Sequence, residues 1–483
     1  MLNTQQRGGP DHTGMMSFED ITLGHNLLSI IGHCEQPIEN EHYAMVFNGC
    51  WYDYKDYYPY SSDTEALLRH FTKRGIRAVD DINGMFAIGL YDKHSKEIHL
   101  FVDRFGQKPL FYIEEPFAFA SMPSALYQYL EMEIDEQGLN SYWLLGAPMM
   151  GMIKGVKKLG ASEHLTYNLL TNSVKIERYY EPKERHENIE DLVYDAIDKV
   201  KIADVPVNIF LSGGVDSTLV ASRFKGYGAI HLNSPELEYA KQVSEKFDID
   251  LHVVFPRQID VEQVLTDYSK FSGEPTMAGM IPYVVSREAR KYCKVAITAN
   301  GADELFFGYD RTHDIVQDMQ IKHILRDITR NINVGAHSEF GSNLFHGRML
   351  ELGSYVQHDL NKTLDFASMA HGLEVRSPFL DHRLVEAALT IPERHHRAKG
   401  NKTILKNMLL NLGFSNQFVD RQKLGFSLFS QPEGMDEKIK TAWYWCQSEG
   451  FLKIDEKKLS GRDKKYLEMS ALGFYYWYKT WFV

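Results

Sequence analysis

The segment Val205-Pro206-Val207-Asn208-Ile209-Phe210-Leu211, followed at once by Ser212-Gly213-Gly214-Val215-Asp216-Ser217, constrains the fold more than any other. A short apolar run of this kind reads as a buried strand. The two glycines let the backbone approach an anion closely. A helix beginning near Ser217 aims free N–H groups and its positive dipole end at the same point. The serines add hydroxyl donors. Asp216 on its own would repel a phosphate, so a bridging Mg²⁺ is the natural resolution. A tight strand-to-helix turn with no ligand is the bland alternative, and a bare Gly-Gly would satisfy it without the rest of the string. No Gly-Lys-Ser/Thr is present, so the loop is not of the Walker A type.

The rest of the chain divides around this point. Residues 1–185 read as strands and turns: Tyr43 to Gly49, Gly84 to Asp92, Ile98 to Asp103 and Phe117 to Ser121. Between them Leu67, Leu68 and Phe71 recur at helical spacing behind a Ser61-Ser62-Asp63 cap. The charged stretch Glu181 to Glu187 is a linker or a solvated helix start. In residues 186–483, strands at 229–232, 251–255 and 294–299 alternate with helical segments such as Glu236 to Phe247, which implies a parallel α/β sheet. The last third is mostly helical. Its aromatic stripe, Phe474 to Phe482, reads as core packing.

A second string, Asn300-Gly301-Ala302-Asp303-Glu304-Leu305-Phe306-Phe307-Gly308-Tyr309, places a carboxylate after a glycine turn at a strand's C-terminal end. It should face the same cleft as the first loop. Asp303 is therefore a second candidate metal ligand, with a helix N-cap as the alternative.

Two more strings follow: Ser368-Met369-Ala370-His371-Gly372-Leu373-Glu374-Val375-Arg376-Ser377-Pro378-Phe379-Leu380-Asp381-His382, and Arg421-Gln422-Lys423-Leu424-Gly425-Phe426-Ser427. The first loop resembles the pyrophosphate loop of N-type ATP pyrophosphatases. All four strings, in order, resemble the synthetase domain of the asparagine synthetase family. The resemblance implies an adenine-nucleotide α-hydrolase-like parallel sheet, ATP and Mg²⁺ as cofactors, and an AMP- and pyrophosphate-forming ligase. It implies catalytic roles for Asp216, Asp303 and Lys423, where the late lysine would stabilise developing phosphoryl charge. Leu211, Ser212, Gly213, Gly214, Asp216, Ser217, Asn233 and Gly301 would hold ATP or pyrophosphate. Asn300, Glu274, Glu304, Arg376 and Asp381 are the substrate-pocket candidates.

Residues 1–185 resemble the family's glutamine amidohydrolase domain, an Ntn-hydrolase-like αββα sandwich, in a damaged and truncated form. Arg7-Gly8-Gly9-Pro10-Asp11, Leu23 to Ile30, Ser62-Asp63-Thr64-Glu65 and Asp103 to Leu110 match it. Active members begin with a Met-Cys-Gly segment whose cysteine is the nucleophile, and no Cys lies near this N-terminus. Leu27 stands where an Arg would hold the glutamine carboxylate, and Cys50 where a Glu would hold its amine, while Asn48, Gly49 and Asp63 remain. A start assigned too far downstream could account for the cysteine but not for Leu27. Loss of a charge partner in a polar pocket costs several kcal/mol, so the expectation is a domain without glutaminase activity.

The amine would then come from within the substrate, as in β-lactam synthetases, from a peptide, as in lasso-peptide cyclases, or from free ammonia. The β-lactam dyad is absent: Asn300 stands for its Tyr, and the Glu position falls near Arg383. Asn300 cannot act as a base. Glu274-Pro275-Thr276-Met277-Ala278-Gly279-Met280 and Leu364-Asp365-Phe366 depart from the family near the acceptor acid, which points away from plain aspartate. A glutamine- or ammonia-dependent asparagine synthetase and a nucleotide-binding pseudoenzyme stay open as alternatives.

Net charge of -12 argues against non-specific nucleic-acid binding. The four cysteines form no CxxC pair or zinc spacing, which fits a reducing cytoplasm. No signal-peptide core and no apolar run of about 20 residues is present, so no membrane partner is expected. The partner class expected is a small-molecule or peptide carboxylate. Family members often pair, which leaves a homodimer open.

Overall fold

The computed structural model describes residues 1–255, 259–309, 348–349, 351–396, 398, 400–421, 434–452 and 459–483. The first half is built from β1 (His12–Ser17), β2 (Thr22–Leu27), β3 (Ile38–Glu39), β4 (Tyr43–Trp51), β5 (Gly84–Asp92), β6 (Glu97–Val102), β7 (Leu110–Glu114), β8 (Phe117–Ala120), β9 (Lys157–Leu159), β10 (Glu163–Asn168) and β11 (Ser173–Arg178). An antiparallel sheet runs β11-β10-β6-β5-β4-β3, a smaller one β8-β7-β9, and β1 pairs with β2. Side chains alternate across β4. Met45 and Phe47 pack towards the helix Asp63–Arg74, while Ala44 and Val46 pack with Leu110, Tyr112 and Leu159 of the smaller sheet. The helix starts where its cap was read: the Ser62 hydroxyl accepts from the Thr64 N–H at 3.1 Å.

Residues 179–188 form neither helix nor strand. The second half then winds β12 (Val207–Phe210), β13 (Gly228–Leu232), β14 (Asp250–Val254), β15 (Val295–Ile297) and β16 (Glu374–Arg376) into a parallel sheet of order β14-β13-β12-β15-β16. The chain starts in the middle, fills one side, then crosses to the other. The order therefore reverses between β12 and β15, and connections leaving those two strands diverge to opposite faces. A crevice at their C-terminal ends is the result. The α/β architecture expected from the alternating pattern is the one observed. The helix after β12 begins at Val215, two residues earlier than read, because Gly214 serves as its N-cap.

One helical strap joins the halves. A ten-residue π-helical run, Leu352–Asn361, continues into the α-helix Lys362–Met369. Asn361 donates to the Phe105 carbonyl at 3.2 Å, Lys108 Nζ lies 2.8 Å from Asp365 Oδ1, and Lys362 Nζ lies 2.5 Å from both Glu274 Oε2 and the Pro148 carbonyl. The aromatic C-terminal helix Gly461–Phe482 is core, as its stripe implied. Trp477 donates to the Gly273 carbonyl at 2.6 Å, and Tyr127 from the first half donates to the same oxygen at 2.5 Å.

Lys108 is 1 % and Asp365 6 % exposed, so removing either partner strands a charge in the interior. Lys108→Met is expected to lower unfolding free energy by about 3–5 kcal/mol, and Lys108→Met with Asp365→Leu to recover most of that loss. Urea denaturation of the three proteins measures it.

Candidate functional site

The loop after β12 is held open from beneath. Gly213 has φ +85°, and a Cβ there would sit 2.9 Å from the Ala240 nitrogen, so only glycine lets the loop rest on the start of the helix Leu237–Phe247. Ser212 Oγ and Ser217 Oγ are 2.9 Å apart, and the Gly214 N–H donates to Ser212 Oγ at 3.2 Å. Thr218 Oγ1 donates to the Gly213 carbonyl at 3.3 Å. Leu211 is buried. Its carbonyl accepts from His231 Nδ1 at 2.7 Å in β13, and burial holds the His231 ring below the ordinary histidine range. Asn233, at the end of β13, is exposed and pairs its backbone N–H with the Val254 carbonyl at 2.8 Å.

The second loop leaves β15 beside the first. Gly301, at φ +90°, turns the chain into the single-turn helix Ala302–Leu305 that carries Asp303 and Glu304. The Asn300 side chain accepts from Thr298 Oγ1 at 3.0 Å, and its carbonyl accepts from the Ser377 hydroxyl. The reversal of strand order thus brings Asp216 and Asp303 to one point, as their positions after parallel strands implied.

What joins them is a lysine that no motif singled out. Lys402 Nζ lies 2.6 Å from Asp216 Oδ2 and also pairs with Asp303 Oδ1. Burial opposes its charge, but the two carboxylates outweigh burial and hold the ammonium above the ordinary lysine range. Its backbone sits in the left-handed region, φ 58° and ψ 33°, an uncommon conformation for a side chain of this size. Asp216 Oδ1 is buried with no hydrogen-bond partner. Two carboxylates converging on one cation, one of them with a spare buried oxygen, form a hard-oxygen donor set that fits Mg²⁺.

Arg421 braces the loop from the other side. Its guanidinium lies 3.9 Å from the Tyr239 ring and 4.6 Å from Phe418, and it donates to the Gly213 and Phe418 carbonyls. Lys423, two residues on, lies outside the described residues. Three of the substrate-pocket candidates have partners elsewhere. Glu274 pairs with Lys362, Asp381 caps the helix His382–Thr390 and binds Arg383 and Asn83, and Arg376 reaches towards the first half. Arg376 donates to Glu374 at 2.8 Å and to the Val200 and Ile202 carbonyls, and its Nη2 has no partner.

Arg376 and Glu374 also line a second feature, a cavity of about 970 Å³ in the first half. Leu27, Asn48, Gly49 and Asp63 line it too. Cys50 is buried beside them in β4, and burial pushes its thiol well above the ordinary range. Asp63 accepts from the Trp51 N–H at 3.1 Å, and burial raises its carboxyl to about 7.

The raised Asp63 carboxyl has a readable consequence. In the folded chain it stays protonated at pH values where the unfolded chain has already ionised it. Its contribution to stability is therefore complete below about pH 4 and is lost as pH rises through about 7. The stability advantage of wild type over Asp63→Asn is expected to fall by about 3–4 kcal/mol between pH 4 and pH 8. Denaturant melts across that range measure it, and a flat difference refutes it.

Residues 188–468 match the asparagine synthase family, and residues 1–180 match the glutamine amidotransferase domain. A glutamine-hydrolyzing asparagine synthetase of Bacillus subtilis (strain 168), its third, is 26% identical and covers 95% of this chain and 89% of its own. A putative glutamine-hydrolyzing asparagine synthetase of Methanocaldococcus jannaschii is 28% identical over 81% of this chain and 77% of its own. The first asparagine synthetase of B. subtilis is 25% identical over 86% and 81%. The chain belongs to the asparagine synthase family.

Proposed function

We propose that this AMP-forming carbon–nitrogen ligase of the asparagine synthase family adenylates a carboxylate and couples it to an amine that its own first half does not release from glutamine. The observation that carries the ligase reading is the meeting of Asp216 and Asp303 at the reversal of the parallel sheet, above a glycine loop built for phosphate. In this reading ATP lies over Ser212 to Ser217. Mg²⁺, held by Asp216 and Asp303, would neutralise phosphate charge as it develops. The carboxylate oxygen attacks the α-phosphorus, pyrophosphate leaves, and the amine nitrogen then displaces AMP from the acyl carbon. Lys423, by its match to the family motif, would steady the charge on the transferring phosphates.

The finer part of the proposal rests on the cavity of the first half. Leu27, 8 % exposed, is apolar where a glutamine carboxylate would need a cation. Among the described residues of the wall the one Lys or Arg is Arg376, which is engaged by Glu374 and two carbonyls. Cys50 is a neutral buried thiol where a carboxylate would meet the glutamine amine. Among the described residues of the wall, a bound glutamine would keep its carboxylate poorly matched, at a cost of several kcal/mol. Free ammonia, a peptide amine or an amine within the acid itself would supply the nitrogen. Asn300, held by Thr298, has no basic atom to deprotonate it.

Carboxylate-dependent ATP–pyrophosphate exchange by the full chain is the test. Exchange is expected with an acid other than aspartate, and Asp303→Asn should lower it by about 10²–10³-fold. Glutamine should yield no glutamate. Robust aspartate-dependent exchange overturns the choice of acid, glutamate release overturns the nitrogen assignment, and silence with every acid overturns the ligase reading.

A further inference from the structure

We propose that Lys402 holds the place of the divalent metal between Asp216 and Asp303, so that metal enters this site only together with the nucleotide. The proposal rests on the reading that these two carboxylates hold Mg²⁺ for ATP, and it adds an order to how the site fills.

The ammonium is not a loose surface contact. Lys402 Nζ lies 2.6 Å from Asp216 Oδ2 and pairs with Asp303 Oδ1, with the lysine and Asp216 side chains 9 % exposed and Asp303 15 %. It thus sits where it pairs with both carboxylates at once. Gly308 closes the other side of Asp303. A Cβ on that residue would lie 1.8 Å from Asp303 Oδ1 and 2.5 Å from Lys402 Cε. The space around Asp303 Oδ1 is therefore crowded by the Gly308 backbone and the lysine stem.

Charge leads to the same competition. The ammonium already offsets part of the charge of the two carboxylates, and a divalent ion would compete with it for the same oxygens. Two cations sharing these oxygens in a partly dehydrated site repel strongly. The ammonium must give up these oxygens for the metal to bind, and doing so without nucleotide costs it two charged partners. A polyphosphate changes that. It brings its own negative oxygens to the loop Ser212 to Ser217, and a lysine whose stem starts beside that loop can transfer to them. Metal and nucleotide then favour each other's binding, and the coupling is reciprocal.

The backbone around the lysine points the same way. Lys402 and Phe307 both lie in the left-handed region, at φ 58° and 55°. The two stretches are tied, because the Lys402 N–H donates to the Phe306 carbonyl at 3.1 Å. Uncommon backbone conformations kept at one place mark a site where geometry is being imposed. Here they fix the root of the lysine beside the two carboxylates.

The test is Mn²⁺ binding to the full chain, followed by the electron paramagnetic resonance signal of free Mn²⁺, with and without α,β-methylene-ATP. Wild type should bind Mn²⁺ weakly alone and about tenfold or more tightly with the analogue. Lys402→Met should bind Mn²⁺ alone about tenfold more tightly than wild type, with much less gain from the analogue. Equal affinities of the two proteins for Mn²⁺ alone overturn the proposal and leave the metal-nucleotide reading intact. If Lys402→Met does not fold, wild type decides by itself: no gain from the analogue overturns the proposal. If wild type takes up no Mn²⁺ even with the analogue, the metal-nucleotide reading falls, and the proposal falls with it.

Discussion

Carboxylates gathered at one end of a parallel sheet repel one another unless a cation stands between them. That requirement organises the second half of this protein. The strand order, reversing between β12 and β15, delivers Asp216 and Asp303 to the same crevice whatever else the chain does. Lys402 answers the repulsion in the absence of any ligand. Its backbone is pinned by the Phe306 carbonyl, and the helix Thr403–Asn411 that follows packs Leu405, Met408 and Leu409 into the main core. A surface loop could not have supplied so fixed a charge.

The junction between the halves is built on a different rule. Apolar residues of both halves pack together across it, and buried polar pairs run along the strap from Leu352 to Met369: Asn361 with Phe105, Lys362 with Pro148, Lys108 with Asp365. Such pairs gain little over well-packed hydrocarbon, because desolvation offsets most of their attraction. They do penalise misalignment heavily, since each wrong register leaves a charge with no partner. The halves are thereby held in one relative position.

Much of this was legible in the sequence, for reasons that differ from element to element. The strands β5 and β13 and the helix Asp63–Arg74 announce themselves because period, cap and flanking turns agree. Asp216 and Asp303 could be paired in advance because both follow glycine turns after parallel strands. Lys402 could not: a lysine ahead of an apolar helix reads as a solvated residue, and its partners lie 186 positions away in the case of Asp216. Glu274, Arg376 and Asp381 were placed near substrate by motif alone. Their actual partners, Lys362, Glu374 and Asn83, include residues from distant parts of the chain, and spacing carries no information about them. The π-helical run Leu352–Asn361 was equally invisible, since its side-chain pattern serves an interface and not a periodic stripe.

The carbonyl of Gly273 receives Tyr127 from early in the chain and Trp477 from very late in it. During synthesis the first half leaves the ribosome hundreds of residues before the aromatic helix that locks it in place. Until that helix docks, Tyr127 lacks the ring of Trp481, and the core around it lacks Ala471, Leu472, Phe474 and Trp477. The strands of the first half can pair early, but the core they share with the second half is completed only once the helix Gly461–Phe482 has been made. A nascent chain of this kind passes through a long interval in which its halves can meet along the strap but lack the helix that seals their common core.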